Sequence, residues 1–280
     1  MIQLSTTRRL VEHNFDHDGH VYHVPGEFTL STSDVIELNG LSDVSMVPLM
    51  ALEHAGHRGS ALHKAVEAFE SGEQPELAIL NYSNEKYLNC KQDAFVNEVM
   101  ERLWFYRSWR AGRNIKLAGD MELPRVYRHE GSGFLIGATI DMPVFIDGCL
   151  TILDLKTGHR NDGVKAKMDA LKWRLQTQSY SEALTCDESF WRKIKPQQIF
   201  RAVLHLHPKC GKNGTKGTQS GFEFHPFDSF DEEDPFLWDG AVRLAMARIR
   251  AGIKLNRRNS GSALKDDLRA SIELEDAPIF

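Results

Sequence analysis

Residues 133–158, GFLIGATIDMPVFIDGCLTILDLKTG, contain two apolar runs separated by Asp147-Gly148. An Asp-Gly pair between apolar strands is the strongest short hairpin signal, and a two-residue turn dictates the pairing of everything beyond it. Counting outward from that turn sets Asp141 opposite Asp154 on one side of the hairpin, with Cβ atoms roughly 4.5–5.5 Å apart. Two carboxylates held face to face repel and weaken a sheet. A sequence that builds such a pair into an otherwise apolar hairpin should therefore supply a cation, and oxygen ligands suit Mg²⁺, with Mn²⁺ able to substitute. Lys156 lies two residues beyond Asp154 and shares its face, while Leu153 and Leu155 point the other way. An ammonium there can orient a water or stabilise charge growing on a phosphate. A bulge near Pro143 would shift this register. The plainer alternative is a surface hairpin in which Lys156 merely neutralises Asp154.

Around this segment the chain changes period twice. Tyr22, Val24 and Pro25-Gly26 predict strand, bend and strand, and one of Ser31, Thr32 or Ser33 caps a short helix through Val35 and Ile36. Leu62, Val66 and Phe69 sit at helical spacing after Ser60, read as an N-cap, with Gly72 as the stop. A second helix is expected over roughly residues 84–110. Two-residue alternation then predicts strands at 116–128, 133–145, 150–157, 199–207 and 221–227, with a crossover helix over 164–184 and a last helix over 232–255. This order describes an α/β domain, a mixed central sheet flanked by helices. Residues 1–55 form an N-terminal elaboration, 56–255 the core, and 256–280 a polar tail expected to be flexible.

Other chemistry-bearing residues fall on these elements. His63 opens the helix after Gly59, with Glu67 one turn on, and a neutral imidazole is a potential metal ligand. Glu122 stands among apolar residues in the strand before the hairpin. Gln176 and Tyr180, four residues apart on the crossover helix, share a face. Between Lys156 and Arg174 there are six cations, Arg160, Lys165 and Lys172 among them, against two acids. Phosphate binding needs such a local excess. Lys209, Lys212 and Lys216 add a glycine-rich basic loop. Each of these features alone reads equally well as a solvated face.

Composition narrows the class. A charge of −5 excludes a broadly basic coat, and 41% hydrophobic with 26% charged residues is ordinary for a globular chain. No apolar run approaches the ~18–20 residues of a membrane helix, and the first twenty residues lack a signal-peptide pattern. Four scattered cysteines suit reduced thiols, so a cytoplasmic protein without membrane contact is expected.

In chain order, Gly59/His63, Glu122, Gly137/Asp141, Asp154/Lys156/Thr157/Gly158 and Gln176/Tyr180 resemble the motifs of the RecB-type branch of the PD-(D/E)XK nucleases. The segment VYHVPGEFTLSTSDVIEL resembles the entry segment of phage-encoded members. The resemblance implies a restriction-endonuclease-like core and Mg²⁺-dependent cleavage of DNA. It implies His63, Asp141, Asp154 and the Leu155 carbonyl as metal ligands. Lys156 would handle the nucleophilic water, Glu122 would support the metal or its waters, and Gln176 and Tyr180 would position substrate, with Arg160, Lys165 and Lys172 on the phosphates. Some RecB-type members hold an iron–sulfur cluster, but Cys90, Cys149, Cys186 and Cys210 lack its clustered spacing, so none is expected. A stand-alone exonuclease in phage recombination or repair is the leading reading. A structure-specific or nicking endonuclease, a non-cleaving DNA-binding protein of the same fold, and a hydrolase of small phosphoesters are the rivals. The acidic, apolar C-terminus resembles the terminal peptide by which single-stranded-DNA-binding proteins recruit repair enzymes, with a frayed tail the plainer alternative. On the first reading a single-strand-annealing or single-stranded-DNA-binding protein is a partner, and ring-like oligomers occur in related exonucleases.

Overall fold

A computed structural model of the chain describes residues 10–16, 21–42, 47–86, 92–159, 163–194, 198–208, 221–227 and 233–253. The basic loop at 209–220, Arg160, Cys90, Cys210 and the C-terminal tail lie outside the described residues. The N-terminal part forms a hairpin of β1 (Asn14–Asp16) and β2 (Val21–His23), then β3 (Thr29–Ser31). Ser31 caps α1 (Thr32–Leu38) through a reciprocal capping box with Asp34, which satisfies two otherwise orphaned N–H groups.

Three helices follow: α2 (Leu49–Glu70), α3 (Pro75–Lys86) and α4 (Gln92–Arg110). Ser60 is no cap. It lies in the middle of α2, which begins eleven residues earlier after Pro48 and runs through the boundary expected at residue 55. The apolar spacing that marks 60–70 is weak before Gly59 because the first turns of α2 are largely exposed, so the pattern hides the true start. The helix expected from residue 84 is likewise two: 84–86 close α3, and α4 starts at Gln92.

The strands are β4 (Ile115–Leu117), β5 (Leu123–Arg128), β6 (Leu135–Ile140), β7 (Met142–Ile146) and β8 (Cys149–Lys156). After them come α5 (Gly163–Thr185), α6 (Glu188–Ile194), β9 (Phe200–Leu206), β10 (Phe222–Phe227) and α7 (Glu233–Arg250). The central sheet is mixed, in the order β10-β9-β8-β7-β4, with β8 and β9 parallel across the α5–α6 crossover. A three-stranded sheet, β3-β6-β5, adjoins it.

Two strands expected to run unbroken are cut. The run 133–145 breaks at Asp141, where β6 leaves for the small sheet and β7 stays in the large one; 116–128 breaks over 118–122. The pairing shows why. β4 and β7 pair as Ile115 with Ile146, whereas β5 and β6 pair as Leu123 with Ile140, a register offset of two residues. Those two extra residues bulge out between the sheets, and a bulge bends the strand that carries it.

Strand alternation sorts the core into two layers. Leu150 and Ile152 of β8 pack with α1, α5, α6 and α7, while Leu153 and Leu155 pack with α2, α3 and α4. Gly137 of β6 lies under the ring of Tyr22: a Cβ there would stand 2.2 Å from Tyr22 Cδ2. The Tyr22 hydroxyl also hydrogen-bonds Thr139 at 2.6 Å. The N-terminal segment is thereby fastened to β6 immediately before Asp141.

Candidate active site

The Asp147-Gly148 turn has positive φ at both residues, 50° and 86°, and the strands it joins pair Ile146 with Cys149 through Met142 with Leu153. That is the register counted from the turn. Asp141 is the next residue, at the point where β6 departs, so the ladder beside β8 ends there. Leu155 loses a strand partner on that side, and the Asp141 carboxylate replaces it: Leu155 N–H donates to Asp141 Oδ2 at 3.0 Å. The Leu155 carbonyl stands 3.4 Å from Nε2 of His63, which α2 delivers to the same gap, and Asp141 Oδ2 lies 3.6 Å from that nitrogen. A carboxylate oxygen, a backbone carbonyl and an imidazole nitrogen thus converge where the two sheets part.

The other face of the His63 ring is held by Glu122, whose carboxylate accepts from Nδ1. Glu122 lies in the bulge with φ at 49°, a left-handed conformation uncommon for a residue with a side chain, and its N–H donates to the Asp141 carbonyl at 2.9 Å. Strain of this kind persists only where surrounding bonds impose it. Fixing one imidazole nitrogen on a carboxylate so that the other faces a metal is the usual arrangement around bound ions. Lys156 Nζ sits 2.9 Å and 2.7 Å from the two oxygens of Asp154, which is wholly buried. Lys156, His63 and Glu122 keep some exposure, so the cluster opens on that side to solvent.

The electrostatics describe a site with excess negative charge. Burial first, and then the charge of Asp154, push the Asp141 carboxyl well above the usual carboxylate range. Burial opposes a charge on His63, but Asp141 and Glu122 together outweigh it and lift the ring to about 10. Lys156 is likewise raised, Asp154 and Asp141 overcoming its burial. Without an added cation the cluster neutralises itself by holding protons. A divalent ion fits this donor set: oxygen donors dominate, and it would relieve a carboxyl that burial and a neighbour keep from ionising. His63, Glu122 and Asp141 offer ligand atoms within 4.8 Å of one another.

One consequence is measurable. A carboxyl with a raised folded-state pKa stabilises the fold most below its unfolded value and progressively less as pH climbs through the folded one. In EDTA at neutral pH, Asp141→Asn should therefore melt higher than the native chain, and the gap should close as pH falls toward about 4. With Mn²⁺ the order should reverse, because only the native chain gains binding energy. A lower melting temperature for Asp141→Asn in EDTA would contradict this account.

The remaining expected residues divide. Gln176 and Tyr180 meet on α5, Gln176 Nε2 donating to the Tyr180 hydroxyl at 2.6 Å, and both are buried. Burial, then Asp141 and Asp154, raise the Tyr180 phenol well above its usual value, which sets it against the carboxylates. Lys165 is exposed near the start of α5. Lys172 donates to Ser42 Oγ at 3.0 Å, and its pKa is lowered by burial and by Lys156. Arg174, counted in the basic excess, is bound to buried Asp234 at 2.5 Å. Trp173 lies against His205 and His225, with centroids 5.4 and 5.2 Å away.

Two residues with no sequence signal hold the turn after Lys156. Arg102 of α4, fully buried, donates to the Thr157 carbonyl at 3.2 Å and is charge-paired with Glu98, which also binds Arg58 and His54. Burial is the main cause lowering Arg102, to about 10. His205 of β9 hydrogen-bonds the Gly158 carbonyl at 2.9 Å.

The model of the PD-(D/E)XK nuclease superfamily matches residues 39–260, and the chain belongs to that superfamily. Its members are metal-dependent nucleases, so membership assigns this chain to a class that cleaves nucleic acid with divalent metal. No curated protein matches it. A solved structure described as the crystal structure of SSO0001 is similar at 13% identity, covering 84% of this chain and 80% of that one, with a TM-score of 0.32. No described helix is long and apolar enough to cross a membrane.

Proposed function

We propose that this chain is a RecB-type, phage-encoded deoxyribonuclease that uses Mg²⁺, and that it degrades DNA from ends. One observation supports the metal-dependent part most strongly: Asp141 stands where the sheet splits, with the Leu155 carbonyl and His63 Nε2 around its carboxylate and Asp154 across from it. His63, Asp141, Asp154 and the Leu155 carbonyl would hold the ion. When bound, it supplies Lewis-acid stabilisation of charge on the phosphate and a lowered pKa for the attacking water.

The protein's own groups account for the rest. Glu122 fixes the His63 ring by its Nδ1, leaving Nε2 toward the carboxylates. Lys156, partly exposed beside Asp154, orients the attacking water and compensates charge on the phosphate oxygens in the transition state. Attack at phosphorus forms one P–O bond and breaks the P–O bond to the leaving sugar oxygen, which takes a proton from water. Arg102 and His205 hold the carbonyls of Thr157 and Gly158 and so fix the turn that follows the lysine. Lys165, exposed near the start of α5, would meet a DNA phosphate, and Lys172 and Arg160 would do so by resemblance; Gln176 and Tyr180 form the buried wall behind the carboxylates.

End-dependence is the part that rests on resemblance, and it has a direct test. End-labelled linear duplex and covalently closed circular DNA are incubated with the protein and Mg²⁺. Loss of the linear substrate with the circle intact is the expected result. Nicking or linearisation of the circle would identify an endonuclease of the same fold instead.

A further inference from the structure

Among the described residues a second group of metal-ligating side chains stands one strand beyond Lys156. The parallel pairing of β8 and β9 sets Lys156 beside His205, and the antiparallel pairing of β9 and β10 sets His205 opposite Glu223. His225 lies two residues along β10 and therefore shares the same face of the sheet. His205, Glu223 and His225 each bring a ligand atom within 4.8 Å of the others, and His225 Nε2 lies 3.5 Å from Glu223 Oε2. In a tetrahedral site with bonds of ~2.1 Å, neighbouring ligand atoms are about 3.4 Å apart. That pair already has the required separation.

Two further features match a metal centre. The Gly158 carbonyl accepts a hydrogen bond from Nε2 of His205, which fixes the ring and leaves the lone pair on Nδ1; bound histidines are ordinarily held by such an outer contact. Trp173 covers both imidazoles from α5, and His205 is buried, so one side of the cluster is shielded from water.

We propose that His205, Glu223 and His225 form a second metal site, specific for a borderline transition-metal ion of the Zn²⁺ class, with a fourth position open to water. Two imidazoles and one carboxylate suit Zn²⁺ and not Mg²⁺, which takes oxygen ligands. The ion would clip the edge strand β10 to β9. Through His205 it would also steady the Gly158 carbonyl at the end of the Asp154–Lys156 segment. This site is independent of the nuclease reading.

The test uses the untagged full-length chain carrying His63→Ala and Asp154→Asn, so that the first cluster cannot contribute. Zn²⁺ is titrated against a chromophoric chelator with Mg²⁺ in excess. The expected result is one Zn²⁺ per chain, with affinity reduced about tenfold or more by Glu223→Gln and, separately, by His225→Asn. Both residues are half-buried on an edge strand; Glu223→Gln preserves shape and leaves melting in EDTA unchanged, and His225→Asn, which gives up the ring against Trp173, is compared with its own melting temperature in EDTA. Zn²⁺ should raise the melting temperature of the parent and not of the variants. No Zn²⁺ bound by the parent, or equal Zn²⁺ affinity in parent and variants, would overturn the proposal.

Discussion

Asp154→Asn is expected to lower Mg²⁺-dependent DNA cleavage by on the order of a thousandfold while leaving the chain folded. Lewis-acid stabilisation of a phosphoryl transition state is worth several kcal/mol, and each ~1.4 kcal/mol is a factor of ten. Asn keeps the size of Asp and one carbonyl oxygen but removes the charge that would hold the ion. It also frees Lys156 Nζ, 2.7–2.9 Å from the carboxylate oxygens in the native chain, from its charged partner. Fold and activity should separate: the far-ultraviolet circular dichroism should match the native spectrum while product formation in a fixed-time gel assay disappears. Lys156→Ala should behave alike through a different route, losing the water-orienting ammonium and not the ion. Measurable Mn²⁺ binding by Lys156→Ala, weakened Mn²⁺ binding by Asp154→Asn and loss of cleavage in both would assign the two roles. Native rates in either variant would remove the catalytic assignment.

The largest effect on stability should come from a residue remote from the chemistry. Asp234, in the first turn of α7, is wholly buried and receives Arg201 of β9 and Arg174 of α5, each at 2.5 Å. Arg201 is itself buried and donates also to the Arg174 carbonyl at 3.2 Å. Asp234→Ala would leave two guanidinium groups facing each other, one of them buried, without their shared anion. Removing one partner of a buried ion pair costs about 3–5 kcal/mol, a large share of the ~5–15 kcal/mol that holds an ordinary domain together. The urea midpoint should drop with little change in slope, the mark of lost stability without a change in exposed surface. A shift below about 1 kcal/mol would show that water reaches the pair and screens it.

Arg174 and Asp141 mark the two ends of what the sequence discloses. The register that carries Asp141 toward Asp154 was legible because a two-residue turn transmits it without slack, from Ile146–Cys149 down to Met142–Leu153; that the ladder stops there, with the Asp141 carboxylate on Leu155 N–H, was not. The breaks were not. Lys116 to Arg128 alternates well enough to read as one strand, and the two-residue offset that throws out Glu122 arises from pairing with separate sheets, a relation between distant segments. The start of α2 was hidden because helix ends without a side-chain cap leave no pattern, and Pro48 supplies none. Arg102 and Arg174 look like other surface arginines in a helical sequence; only the fold shows that one holds the Thr157 carbonyl and the other a buried aspartate. His63 and the DLKTG segment could be chosen from the chain because, in order with Glu122, Gly137/Asp141 and Gln176/Tyr180, they resemble the motifs of a nuclease family, although His63 by itself reads as a solvated helix face. The Glu98 network, made of ordinary helix-surface residues, carried no such mark.

The split between the two sheets at Asp141 should seat a divalent cation. A crystal grown with Mn²⁺ and read by anomalous scattering tests it most directly. The predicted result is a peak bonded to the Asp141 carboxylate, His63 Nε2 and the Leu155 carbonyl, with Asp154 beside it and Glu122 behind the ring. A map with no peak at Asp141, from crystals in which Mn²⁺ supports cleavage by the same protein in solution, would contradict it.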